Sequence, residues 1–108
     1  MGFIEVAKIS EIPAGMKKAV TVDGREIVVF NVGGKFYALP RKCTHMGGDL
    51  SAGILEGETV ICPRHGAHFN VTTGVCIAGP KIGPLKLSTK NEPVYEVIVE
   101  NESIKVRV

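Results

Sequence analysis

Two short segments bring a thiol and an imidazole close together: Cys43-Thr44-His45 and Cys62-Pro63-Arg64-His65. The combined pattern is C-x-H, sixteen intervening residues, then C-x-x-H. Thiolate sulfur and neutral imidazole nitrogen are donors suited to zinc and to iron–sulfur clusters. On chemistry alone two readings compete. A Cys2His2 set can close a tetrahedral structural zinc clamp. It can equally hold a [2Fe–2S] cluster, with two cysteines on one iron and two histidines on the other. Zinc fingers usually group their cysteines together and their histidines together. Here each segment mixes the two, which fits a two-metal rhomb held by two loops, each giving one ligand to each iron. Gly47, Gly48 and Gly66 follow the ligands and give the backbone the freedom to approach a metal.

The neighbouring residues read more plainly. Cys76 has no partner in either segment and is read as a small buried residue. With three cysteines in all, an odd number, a disulfide framework is disfavoured. His68 follows His65 by three residues, in a turn or short strand, and is read as a surface or supporting residue rather than a ligand. The basic pairs Lys17-Lys18 and Arg41-Lys42 are read as solvated.

The elements that must position these groups are mostly strands. Ala19–Val22 and Arg25–Val32 flank Asp23-Gly24, a strong two-residue hairpin signal. Gly33-Gly34 then leads into Lys35–Leu39, which completes a three-stranded meander. Val94–Val99 and Ser103–Val108 form a second hairpin. In its last strand Ile104, Val106 and Val108 face inward while Lys105 and Arg107 face water. Phe3–Ala7 is a further short strand. No stretch carries a helical period over ten or more residues. Residues 40–84 differ in character: they hold eight of the thirteen glycines, four of the six prolines, and every cysteine and histidine. Glycine-rich connections of this length inside a compact domain are usually functional. The expected fold is all-β, one domain over 1–108, with an antiparallel β-sandwich base and an inserted ligand-bearing loop subdomain over about 40–84.

Composition narrows the function. A chain of 108 residues, 44% apolar and 22% charged, suits one soluble domain. It has no Trp and few aromatics, so a stacking platform for single-stranded nucleic acid is not expected. A net charge of +2 is too small to hold nucleic acid or a membrane by electrostatics. The longest apolar run, Ile27–Phe30, is far short of a membrane span. The opening residues lack the basic start and apolar stretch of a secretory signal. A cytoplasmic protein with no membrane anchor and no nucleic-acid partner is the expectation.

At the two Cys/His segments the sequence resembles the Rieske iron–sulfur family, whose two boxes run C-x-H and C-x-x-H with a spacer of about this length. Cys62-Pro63-Arg64-His65-Gly66-Ala67-His68-Phe69-Asn70 looks like the second box. Thr73-Gly74, Gly79-Pro80 and Pro84-Leu85 follow it in family order. The resemblance implies a Rieske-type [2Fe–2S] cluster, with Cys43 and Cys62 on the buried iron and His45 and His65 on the outer one. Two imidazoles in place of two thiolates make such a cluster easier to reduce.

The sequence departs from the high-potential branch of the family. Quinol-oxidising respiratory subunits carry an extra cysteine in each box, joined as a disulfide; Gly48 and Arg64 occupy those positions here. Those subunits also have a Ser and a Tyr that donate to the cluster sulfurs, where this chain has Ala67 and Phe69. Losing both donors implies a potential near the low end of the Rieske range, roughly −150 mV. The resemblance therefore implies an electron carrier, not an enzyme: a Rieske-type ferredoxin that takes one electron from a reductase and passes it to a terminal oxygenase or similar acceptor. An oxygenase would also need two histidines and a carboxylate on a separate iron, and only His68 remains for that. The alternatives are a small Rieske-like subunit of a larger oxidoreductase, such as a nitrite reductase, and the zinc clamp.

Overall fold

A computed structural model describes residues 2–42, 49–63, 66–78, 81–82, 85–86 and 91–108. Twelve strands are seen among them and, in place of α-helix, two 3₁₀ turns at Ile9–Glu11 and Leu50–Ala52. None of the described helices is long and apolar enough to cross a membrane.

The expected meander is present as β2 (Lys17–Val22), β3 (Arg25–Val32) and β4 (Lys35–Pro40), paired in that order. Register runs from Val22 opposite Arg25 and from Val32 opposite Lys35, so each turn has two residues. Both turn residues have positive φ in each case, 52° and 79° at Asp23-Gly24 and 60° and 93° at Gly33-Gly34. That is the backbone whose twist matches antiparallel strands.

A second three-stranded sheet joins the chain ends. Here β12 (Ser103–Arg107) lies between β1 (Ile4–Lys8) and β11 (Glu96–Glu100). Glu100 pairs with Ser103, so the connection is the two-residue turn Asn101-Glu102, one residue shorter than the spacer the sequence suggests. Tyr95 N donates to Ala38 O at 3.1 Å and links this sheet to the edge of β4. Ala7, Ile12, Val29, Ala38, Ile104 and Val106 are buried between the two sheets. Ile104 and Val106 thus face inward as their alternation requires. Val108 packs at the rim of the same core.

Between these sheets in sequence lies a four-stranded antiparallel sheet, ordered β5 (Ile54–Glu56), β6 (Thr59–Ile61), β7 (His68–Asn70) and β8 (Cys76–Ala78). The short strands β9 (Lys81–Ile82) and β10 (Leu85–Lys86) form a two-stranded ribbon. The four-stranded sheet covers the other face of the meander. Val28, Phe30 and Leu39 from the meander pack with Leu50, Val60 and Phe69 in a second core. Strand β3 is therefore buried on both faces. This explains why Ile27-Val28-Val29-Phe30 is continuously apolar instead of alternating: all four are 0% exposed.

Candidate metal centre

Strands β6 and β7 position Cys62. Val60 lies opposite Phe69 and Ile61 opposite His68. One step further along the hairpin, Cys62 N donates to Ala67 O at 2.8 Å. Side chains two apart along a strand share a face. Val60, Cys62, Ala67 and Phe69 therefore all point to the inner face, and all four are buried in the second core. Cys62 is 2% exposed and Ala67 1%. Pro63 is already exposed, so the chain passes from core to surface within one residue. Gly66 N donates back to Cys62 O at 3.1 Å. Gly66 has φ +75°, a conformation that disfavours a side chain, so glycine is required there.

The neck of the other ligand segment is also described. Lys42 and Asp49 form an antiparallel bridge, and Leu50 N donates to Arg41 O at 2.8 Å. Arg41 N donates to Glu26 O at 3.0 Å, which continues the β3–β4 pairing into the neck. The Arg41 guanidinium forks onto Asp49, with Nε to Oδ1 and Nη2 to Oδ2 both 3.1 Å. Asp49 Oδ1 also accepts from Ser51 N at 2.9 Å and from Ser51 Oγ at 2.6 Å, which caps the 3₁₀ turn. Arg41 first and Ser51 second hold the Asp49 carboxyl down at about 2, and the same fork raises Arg41. Arg41 is thus paired rather than solvated. Leu50, the next residue, is fully buried in the same core as Cys62. Leu50, which flanks the first Cys/His segment, and Cys62 of the second thus meet in one apolar cluster.

Cys43, His45 and His65, with Gly48 and Arg64, lie outside the described residues. Among the described residues no three His, Cys, Asp or Glu side chains converge on a common point. His68 is half-buried opposite Ile61, on the face of β7 away from Cys62, in keeping with a non-ligand. Cys76 is half-buried on β8 at the edge of the second core; its backbone N donates to Asn91 Oδ1 at 2.9 Å. Sequence reasoning missed the Arg41–Asp49 fork. The only local signal was Asp49-Leu50-Ser51, an acidic cap ahead of a short turn.

The donor chemistry fits an iron–sulfur group. A thiolate in the apolar setting of Cys62 is costly unless a cation compensates it. His65 follows Cys62 by three residues, so an imidazole from the same hairpin can serve the same group. A family model of the Rieske [2Fe–2S] domain matches residues 2–92. The chain belongs to the Rieske family. It is similar to the ferredoxin component of the naphthalene 1,2-dioxygenase system of Pseudomonas aeruginosa, 34% identical over 96% of this chain and 93% of that one. In structure it is similar to the ferredoxin of carbazole 1,9a-dioxygenase from Nocardioides aromaticivorans IC177. There the TM-score is 0.79 and identity 30%, covering 98% and 97% of the two chains. It is also similar to a chain in a complex of reduced oxygenase and oxidized ferredoxin in carbazole 1,9a-dioxygenase. That match has a TM-score of 0.78 and identity of 33%, covering 96% and 91%. The chain is accordingly a Rieske-type electron carrier with a [2Fe–2S] cluster as its cofactor, on the all-β Rieske fold.

Proposed function

We propose that Cys43 and Cys62 bind one iron of the cluster and His45 and His65 the other. On this reading residues 1–108 are one Rieske domain, and about 40–84 form its cluster-binding subdomain. The bound cluster supplies a reversible one-electron couple. The observation that carries the ligand assignment is the second box: Cys62 is sealed in an apolar core, while its turn reaches the surface at Pro63. Val60, Leu50 and Phe69 keep water from the sulfur on the inner side. Ala67 and Phe69 offer no side-chain donor, which favours a low potential, roughly −150 mV.

The partners follow from the relatives. Each compared protein is named as the ferredoxin of a dioxygenase, or stands in complex with an oxygenase. This chain then takes an electron from a reductase and gives it to a terminal oxygenase, in the cytoplasm.

The test is an EPR spectrum after dithionite reduction, with iron, sulfide and zinc assays on the same sample. A rhombic signal with average g below the free-electron value, with two irons and two sulfides, is expected. One zinc per chain with no signal, persisting after reconstitution with iron and sulfide, refutes the reading. Single replacement of Cys43, His45, Cys62 or His65 is expected to abolish the signal.

A further inference from the structure

The loop between positions 42 and 49 carries Cys43 and His45, and its neck is fastened in a way the sequence does not announce. Three fastenings converge there. Arg41 N donates to Glu26 O of β3, the central strand of the meander. Leu50 is buried in the core it shares with Cys62. Between them, Arg41 spans eight positions to grip Asp49 through both carboxylate oxygens. A second acid, Glu26, stands 3.6 Å from Arg41 Nη1. Asp49 in turn holds Ser51 through two bonds. The result is one chain of contacts, Glu26–Arg41–Asp49–Ser51, running from β3 across the neck to the 3₁₀ turn.

We infer that the Arg41–Asp49 fork is a latch across the neck that flanks the first Cys/His segment: Arg41 and Asp49 are positioning residues for Cys43 and His45. This rests on the ligand assignment proposed above. The physical case is local. The two side chains are 36% and 41% exposed, and isolated ion pairs at such exposure contribute little to global stability. This fork differs because it is bidentate, doubly capped by Ser51, and closes a loop neck. A bidentate guanidinium–carboxylate pair fixes orientation as well as distance. Its effect therefore falls on opening of the neck between Arg41 and Asp49, a local event that costs less free energy than global unfolding. Cluster release requires such an opening, so release rate reports the latch where the unfolding midpoint does not.

The experiment uses the cluster-loaded protein. Excess EDTA is added and loss of visible absorbance is timed for the wild type, Asp49→Asn, Arg41→Gln, Arg41→Lys and the double swap Arg41→Asp/Asp49→Arg. Asp49→Asn keeps an oxygen for Ser51 and removes the ion pair together with the second acceptor of the fork. Release about fivefold faster is expected for Asp49→Asn and Arg41→Gln. The lysine variant, a charge without a fork, falls between, and the swap recovers most of the wild-type rate. The urea midpoint of the apoprotein stays close to wild type throughout. Glu100→Gln, which removes the distant pair with Lys105, serves as control and leaves release unchanged. Single variants that release the cluster at the wild-type rate overturn the latch, as does a swap no slower than either single. Faster release that merely tracks a lowered urea midpoint also overturns it. A wild type with no Rieske spectrum overturns the ligand assignment itself, and the latch with it.

Discussion

Phe69→Tyr tests the low-potential reading at a single atom. Phe69 is 0% exposed, lies opposite Val60, and shares the inner face of the hairpin with Cys62 and Ala67. A hydroxyl added to its ring enters a space from which water is excluded, so it either finds an acceptor on the cluster side or goes without. A hydrogen bond to cluster sulfur favours the more negative, reduced state. With a net worth of about 0.5–1.5 kcal/mol, and about 59 mV per tenfold for one electron, the midpoint rises by about 20–65 mV. Without an acceptor, the buried hydroxyl costs about 1–3 kcal/mol of stability and leaves the potential where it was. The two measurements are a redox titration followed by visible circular dichroism and a urea melt of the same sample. An upward shift with stability retained is expected. Stability loss at constant or lowered potential refutes the claim that Phe69 sits where a donor would reach the cluster.

Other expectations follow from single residues. Leu50→Ala empties a fully buried site beside Cys62 and is expected to cost about 2–5 kcal/mol in a urea melt. Gly53→Ala brings a Cβ to 2.4 Å from Ile61 O on the strand leading to Cys62. A loss of about 1–3 kcal/mol and weaker iron retention by assay are expected. Asp49 titrates at about 2 when folded, against an ordinary value of 3.8. Its contribution is therefore complete above about pH 4 and lost as pH falls towards 2. Acid melts of Asp49→Asn are expected to be flatter than the wild type over that window, by a small amount because the side chain is 41% exposed.

The parts of the fold legible in the sequence were those fixed by local chemistry. Asp23-Gly24 and Gly33-Gly34 announced two-residue turns because few other residues accept positive φ twice in succession. Asn101-Glu102 makes the same turn, but Glu102 at φ +68° carries no such signal, so the hairpin appeared one residue longer. Alternation in Ile104–Val108 was enough to orient the last strand. The four-stranded sheet was harder. Its strands have three residues each, too short for a period, and β8 was not anticipated. They are strands because the inner-face residues Val60, Phe69 and Cys76 pack on the meander. The second Cys/His segment was legible as a pattern, and the structure places its Cys62 in an apolar core. The Arg41–Asp49 fork was not legible, because pairing across a loop depends on where the neck closes, not on either residue's neighbours.

The double burial of β3 reaches beyond packing. Ile27 and Val29 serve the base, and Val28 and Phe30 serve the lobe that carries Cys62. The two halves share a party wall, so neither can melt without stripping one side of it. Unfolding is then expected to be a single cooperative event, with the β3 amides the last to exchange with solvent. The base is in this way a handle: a push on the outer sheets is passed through one strand to the hairpin that holds Cys62.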